Sequence, residues 1–165
     1  MRTITLKEAE KLSSPNPFAL VSTIDRNGKN NLMALSWWTY CSNNPPTVAV
    51  CLSNKGYSGG LIREAGEFAL CLPDETLREA AFRCGTCSGR DTEKAEAFGI
   101  KLADSEKIRP KLVAASKIVM ECVLVSETKG GDHTLFLAEV VAVHAADEDR
   151  KHLLSMDGYG ELRAF

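Results

Sequence analysis

Apolar and polar positions alternate with a period of two over much of the chain, and turn residues cut the alternating runs into short pieces. This pattern predicts a mainly β protein with flanking helices. Phe18 to Ile24 reads as a strand, Asp25 to Lys29 as a turn carrying Gly28, and Asn31 to Cys41 as the returning strand of an antiparallel hairpin. Asn43-Asn44-Pro45-Pro46 closes a second hairpin onto Thr47–Ser53, and the spacing favours a meander that curls into a small barrel. Lys117–Glu127 and His133–Ala145 are the clearest strands, joined through Thr128–Asp132. Glu121 and Glu139 interrupt them, so each must face water, a partner subunit or a paired base.

Helical signals are short and lie between the strands. Thr5 and Glu8 form a capping box for a helix that ends at Leu12, before Pro15-Asn16-Pro17. The Asn54–Gly60 loop leads into a helical turn or two over Leu61–Ala65, stopped by Gly66, and Glu67–Leu72 is an apolar strand ended by Pro73. Asp74 caps a helix through Arg83, with Leu77, Ala80 and Ala81 at helical spacing, and Asp91 caps a second through Phe98 that stops at Gly99. Lys101–Ala115 reads as a loop with short extended pieces. The tail from Asp147 is polar, with a helical piece over Arg150–Leu154, then Gly158-Tyr159-Gly160 and a terminal aromatic, Phe165.

The length of 165 residues suits one domain spanning 1–165. Lys and Arg number 20 against 22 Asp and Glu, without runs of like charge, which argues against nucleic-acid and membrane-surface partners. No apolar run reaches bilayer length, and MRTITLKEAEKL lacks the basic-then-apolar pattern of a signal peptide, so a cytoplasmic location is expected. Four of the six cysteines, Cys41, Cys51, Cys71 and Cys122, sit in apolar strand-like runs and are expected to be reduced. Cys84-x-x-Cys87 has no second Cys pair and no suitably spaced His, which disfavours zinc. A redox dithiol acting with or without another cofactor stays open.

The chemistry concentrates between Asn30 and Pro73. A strand running into a Ser/Lys/Gly-rich loop that opens a helix is a place where free backbone N–H groups can hold an anion. The neighbouring Trp37 and Trp38 face opposite sides of a strand, so at least one enters the core, and together they suggest a flat aromatic ligand that carries a phosphate. Neither Walker spacing nor GxGxxG is present, so a Rossmann nucleotide site is not supported.

The ordered motifs NxMALSWW, Pro-Pro turn, Ser/Lys/Ser-Gly loop, LIREAGEFALCLP, SGRDxEK and GDHTLFLAEVVAV resemble the FMN-binding split-barrel family of flavin reductase-like proteins and flavoredoxins. The resemblance implies a homodimer of Greek-key split β-barrels with FMN near the subunit interface, fed by NAD(P)H or a redox protein partner. It also implies an oxidoreductase or electron carrier, with a non-catalytic FMN-binding module as the alternative. Carried over by position, Asn31 and Trp37 would line the isoalloxazine; Ser58, with Ser53 and Lys55 near it, would take the phosphate. Lys94 would supply a cation, His133 would open the penultimate strand beside the flavin, and Phe165 would cover it. In this scheme the flavin carries the electrons and the protein needs no acid–base triad.

Overall fold

The computed structural model describes residues 1–165. Its main body is a seven-stranded antiparallel sheet built from β2 (Ala19–Ile24), β3 (Asn30–Leu35), β4 (Trp38–Asn43), β5 (Pro46–Ser53), β6 (Glu67–Pro73), β9 (Ser116–Gly130) and β10 (His133–Ala145). The strand order is β3-β2-β6-β9-β10-β5-β4. Strands β3 and β4 are consecutive in the chain yet occupy the two ends of that order, so the sheet curls into the open barrel expected from the sequence. The run Asn31–Cys41 is therefore two strands rather than one. The chain turns a corner at Ser36-Trp37, where the Trp37 carbonyl accepts from the Cys51 N–H at 2.9 Å.

Two apolar clusters lie on the two faces of this sheet. One is the barrel interior, where Val21, Val50, Phe68, Leu70, Met120 and Phe136 meet Ile62 of α2 (Ser58–Ala65). The other holds Phe18, Leu20, Leu32, Cys71, Val119 and Leu153. It is covered by α3 (Arg78–Cys84) and by the tail. Strands β2 and β6 are thus buried on both faces, which is why their sequences read as nearly unbroken apolar runs.

The helical signals hold with adjustments. Helix α1 (Leu6–Leu12) carries the Thr5/Glu8 capping box. Asp74 caps a 3-10 turn, Glu75–Leu77, that leads into α3. Helix α4 is only Lys94–Ala97, and the residue before it is Glu93, so Asp91 does not cap it. Within 101–115 the chain forms a small hairpin of β7 (Leu102–Ala103) and β8 (Leu112–Val113).

The tail is the clearest departure from the sequence reading. Arg150–Leu154 is not helical: β11 (Leu153–Met156) pairs with β12 (Glu161–Ala164) and with β1 (Asn16–Pro17). Leu153 and Ser155 alternate inward along β11, and Leu162 of β12 is buried with Leu153 in the same cluster. Burial at period two outweighed the weak helical pattern.

Glu121 is fully buried on β9 and takes the paired-base option. Its carboxylate accepts from the backbone N–H of Glu106, Lys107 and Ile108 and lies 2.7 Å from His144 Nε2. Burial works to raise this carboxyl, but the N–H donors and His144 outweigh it and hold it below the usual glutamate range. Glu139 faces outward and is exposed. No helix is long and apolar enough to cross a membrane.

Candidate functional site

Two adjoining clefts share Met33, Ala34 and Gly85 in their walls. The first, about 400 Å³, lies at the strand break and is bounded by Trp37, Cys51, Ser53, His133 and Tyr159, with Glu10 of α1 at its rim. The second, about 380 Å³, is bounded by Asn31, Lys55, Ser58, Arg90 and Lys94.

In the first cleft the Trp37 and His133 rings sit 4.9 Å apart at 39°. Trp37 is 47% exposed because the corner turns it out of the sheet, whereas Trp38 packs against the barrel interior. His133 Nδ1 is 2.7 Å from the Asp132 carboxylate, and that bond holds Asp132 below the usual aspartate range. Large aromatic surface left open at a concave site is the wall that a flat ring system requires.

The second cleft is built around a buried cation. Lys94 is 4% exposed, and its Nζ donates to the Cys84 carbonyl at 2.6 Å, at the C-terminal end of α3. Burial lowers its pKa, and the nearby Cys84 and Cys87 thiols offset this only partly. Its ammonium has no carboxylate partner in the chain, although Lys carries three donors. Buried charge without a counter-ion is costly, so the site fits an anion supplied from outside.

Ser58, at the start of α2, points its hydroxyl into the same place. Asn31 holds it there: its amide donates to Ser58 Oγ at 2.9 Å and to Thr23 Oγ1 at 3.0 Å. Both amide hydrogens of Asn31 are thereby used inside the protein. Gly89, in the loop after α3, presses on the same side chain. A Cβ there would lie 1.8 Å from Asn31 Oδ1, so only glycine allows the loop to close over the cleft. Arg90 stands beside Tyr57, its guanidinium 5.2 Å from the ring centre, and faces the same cleft.

The structure gathers seven of the eight residues expected from the sequence into two clefts: Trp37, Ser53 and His133 line the first, and Asn31, Lys55, Ser58 and Lys94 the second. Two of them change places relative to the expected roles, because Asn31, expected beside the ring, bonds Ser58 in the second cleft, and Ser53, expected near the phosphate, lies with Trp37 and His133 in the first. Phe165 lines neither within its own chain; it is 54% exposed and its backbone pairs with His152. Sequence reasoning passed over Ser36, Arg90 and Tyr159. Arg90 was within reach as the basic residue of the SGRD motif, while Ser36 and Tyr159 enter the site only through the barrel corner and the tail hairpin.

All six cysteines are free thiols. Burial pushes the Cys84 thiol up to about 11, with Lys94 and Arg83 opposing it only weakly, so it is not an activated nucleophile near neutral pH. This argues against Cys84 as the attacking thiol of a redox pair.

Comparison with known proteins gives a consistent family. The profile of the Flavin reductase like domain matches residues 12–163. An uncharacterized protein of Archaeoglobus fulgidus is 30% identical over 147 residues, covering 89% of this chain and 81% of that protein. Flavoredoxin of Desulfovibrio vulgaris (Miyazaki F) superposes with a TM-score of 0.83 at 24% identity, over 100% of this chain and 90% of that one. An FMN-binding protein from Thermus thermophilus, solved with bound 1-cyclohex-2-enone, gives 0.87 at 22% identity, over 99% and 94%. These likenesses bear out the split barrel.

Proposed function

Since the chain belongs to the flavin reductase-like domain family, we propose that it binds FMN across the two clefts and moves electrons from NAD(P)H or a reduced protein to an acceptor. The observation that carries this reading is the buried Lys94 ammonium, without a carboxylate, in a cleft continuous with the open Trp37–His133 wall. When bound, the flavin supplies the two-electron chemistry. Lys94, Lys55, Arg90 and the Ser58 hydroxyl hold its single phosphate, with Asn31 positioning Ser58. Trp37 and His133 hold the ring system and keep water from one side of it.

The outer face of the sheet supports a homodimer. From Trp37 the row continues across Cys51, which pairs with Leu135 on β10. Leu135 is exposed, as are Val123 and Val125 on the neighbouring β9. Exposed apolar surface that begins at a ligand cleft is suited to a second copy that covers both. In that arrangement the partner's chain, rather than its own, offers the cleft a covering aromatic such as the terminal one. Six free thiols fit a reducing, cytoplasmic setting.

The test is a visible absorption spectrum of the purified protein, after loading with FMN, taken before and after anaerobic addition of NADH or NADPH. Bound flavin that bleaches supports the reductase reading with that donor. Bound flavin that stays oxidised identifies a carrier served by a protein or a module that only binds. Failure to take up FMN removes the proposal.

A further inference from the structure

Four buried side-chain polar atoms lack a hydrogen-bond partner: Ser14 Oγ, Ser36 Oγ, Trp38 Nε1 and Ser116 Oγ. Of these residues only Ser36 lines the cleft bounded by Trp37 and His133. It occupies the corner between β3 and β4, where the chain leaves one end of the sheet for the other and neither strand's ladder continues. Its neighbour Leu35 is buried in the barrel interior and its neighbour Trp37 turns outward. Ser36 itself is half-buried and lines the cleft, while its hydroxyl has almost no solvent-accessible surface and no hydrogen-bond partner within the chain.

A hydroxyl at such a place costs stability that an alanine of nearly the same size would not. It gains a purpose if a ligand atom completes it. The phosphate-binding groups lie in the other cleft, so what reaches Ser36 is the flat end of the ligand. We infer that Ser36 Oγ hydrogen-bonds the polar edge of the flavin ring system and so helps to select and orient the ring. This rests on the flavin reading given above. Serine suits the task because its hydroxyl donates and accepts. It can donate to a ring nitrogen in the oxidised flavin and accept from the N–H that the same nitrogen carries after reduction, so the contact survives both states.

The experiment separates ring from phosphate. Wild type, Ser36→Ala and Ser36→Thr are titrated with FMN and with lumiflavin, which has the ring but neither ribityl chain nor phosphate, and binding is followed by flavin fluorescence. The expected result is that Ser36→Ala weakens both ligands by a similar factor, roughly three- to tenfold, the size of one net hydrogen bond. Ser36→Thr, which restores the hydroxyl, recovers most of the loss. If Ser36→Ala binds both ligands as wild type does, the inference is wrong while the flavin reading stands. Loss confined to FMN also overturns it, because Ser36 would then act at the phosphate end. A wild-type protein that binds neither ligand overturns the flavin reading itself.

Discussion

Replacing Lys94 with Met tests whether the second cleft exists to hold an anion. The side chains are similar in length, so packing around the stem is preserved while the charge and its donors go. In the ligand-free protein two effects oppose each other. The variant loses the 2.6 Å bond to the Cys84 carbonyl, a charge-assisted contact at a helix C-terminus where a cation is favoured. It also sheds the cost of a 4% exposed ammonium that lacks a counter-ion. The folding free energy should therefore change by no more than about 1 kcal/mol, measured by urea denaturation. Flavin binding has no such compensation. A hydrogen bond to a charged group is worth about 1.5–3 kcal/mol net, so FMN affinity should fall roughly 10- to 150-fold in Lys94→Met. Lumiflavin, which has no phosphate, should bind the variant and wild type alike.

The pH dependence follows from the same burial. The folded pKa of Lys94 is lowered from its ordinary value, so the unfolded chain binds the proton more tightly than the native one. Stability of the ligand-free protein should rise as pH climbs through the folded pKa toward the unfolded one, while FMN affinity falls over that range. Calorimetric titration of FMN into both proteins at several pH values checks this. Unchanged FMN affinity in a folded Lys94→Met protein would refute the assignment of the cleft.

Other consequences can be checked independently. Glu121→Ala leaves three backbone N–H groups and His144 without their shared acceptor, and should cost about 3–5 kcal/mol in denaturant unfolding. In wild type the contribution of Glu121 is fully present above the ordinary glutamate pKa, because its folded pKa is lowered. It should fade as pH falls through the folded value, and acid unfolding followed by circular dichroism should show Glu121→Gln losing part of that dependence. Gly89→Ala puts a Cβ against Asn31 Oδ1, and should lower stability by about 1–3 kcal/mol. It should also weaken FMN more than lumiflavin, because Ser58 loses its positioning. Leu135→Glu, on the outward row beside Cys51, should shift a dimer to monomer in analytical ultracentrifugation and weaken FMN binding with it; a monomeric wild type would refute the dimer.

Much of the site was legible because several of its parts are local. The Ser/Lys/Gly loop and the helix that Ser58 opens are contiguous in sequence. That loop is governed by turn chemistry and periodicity, which any window of the chain carries. Lys94 and His133 were named through the family resemblance, Lys94 in the SGRDxEK motif and His133 after a turn closed by Gly131 at a φ of 71°. The misreadings have the opposite origin. The Arg150–Leu154 run has weak local preference, and its last two residues joined β11 because β1 and β12 were available to pair with it. Burial over many contacts outweighs intrinsic helix propensity, which amounts to only about 0–0.7 kcal/mol per ordinary residue.

By itself, the sequence determined the mainly β character, most strand and turn positions, the capping box, and the residue types that can hold a phosphate beside an aromatic wall. It did so because alternation, turn residues and hydroxyl or cationic side chains act over a few neighbouring positions. Tertiary structure alone decided that Asn31–Cys41 breaks at Ser36 and that Lys94 is buried without a counter-charge. Closing the barrel places β3 and β4 at opposite ends of one strand order, and a corner residue's surroundings come from strands distant in sequence. Whether a lysine or a serine is a solvated surface group or an unpaired buried one depends on what packs over it, which no local pattern encodes.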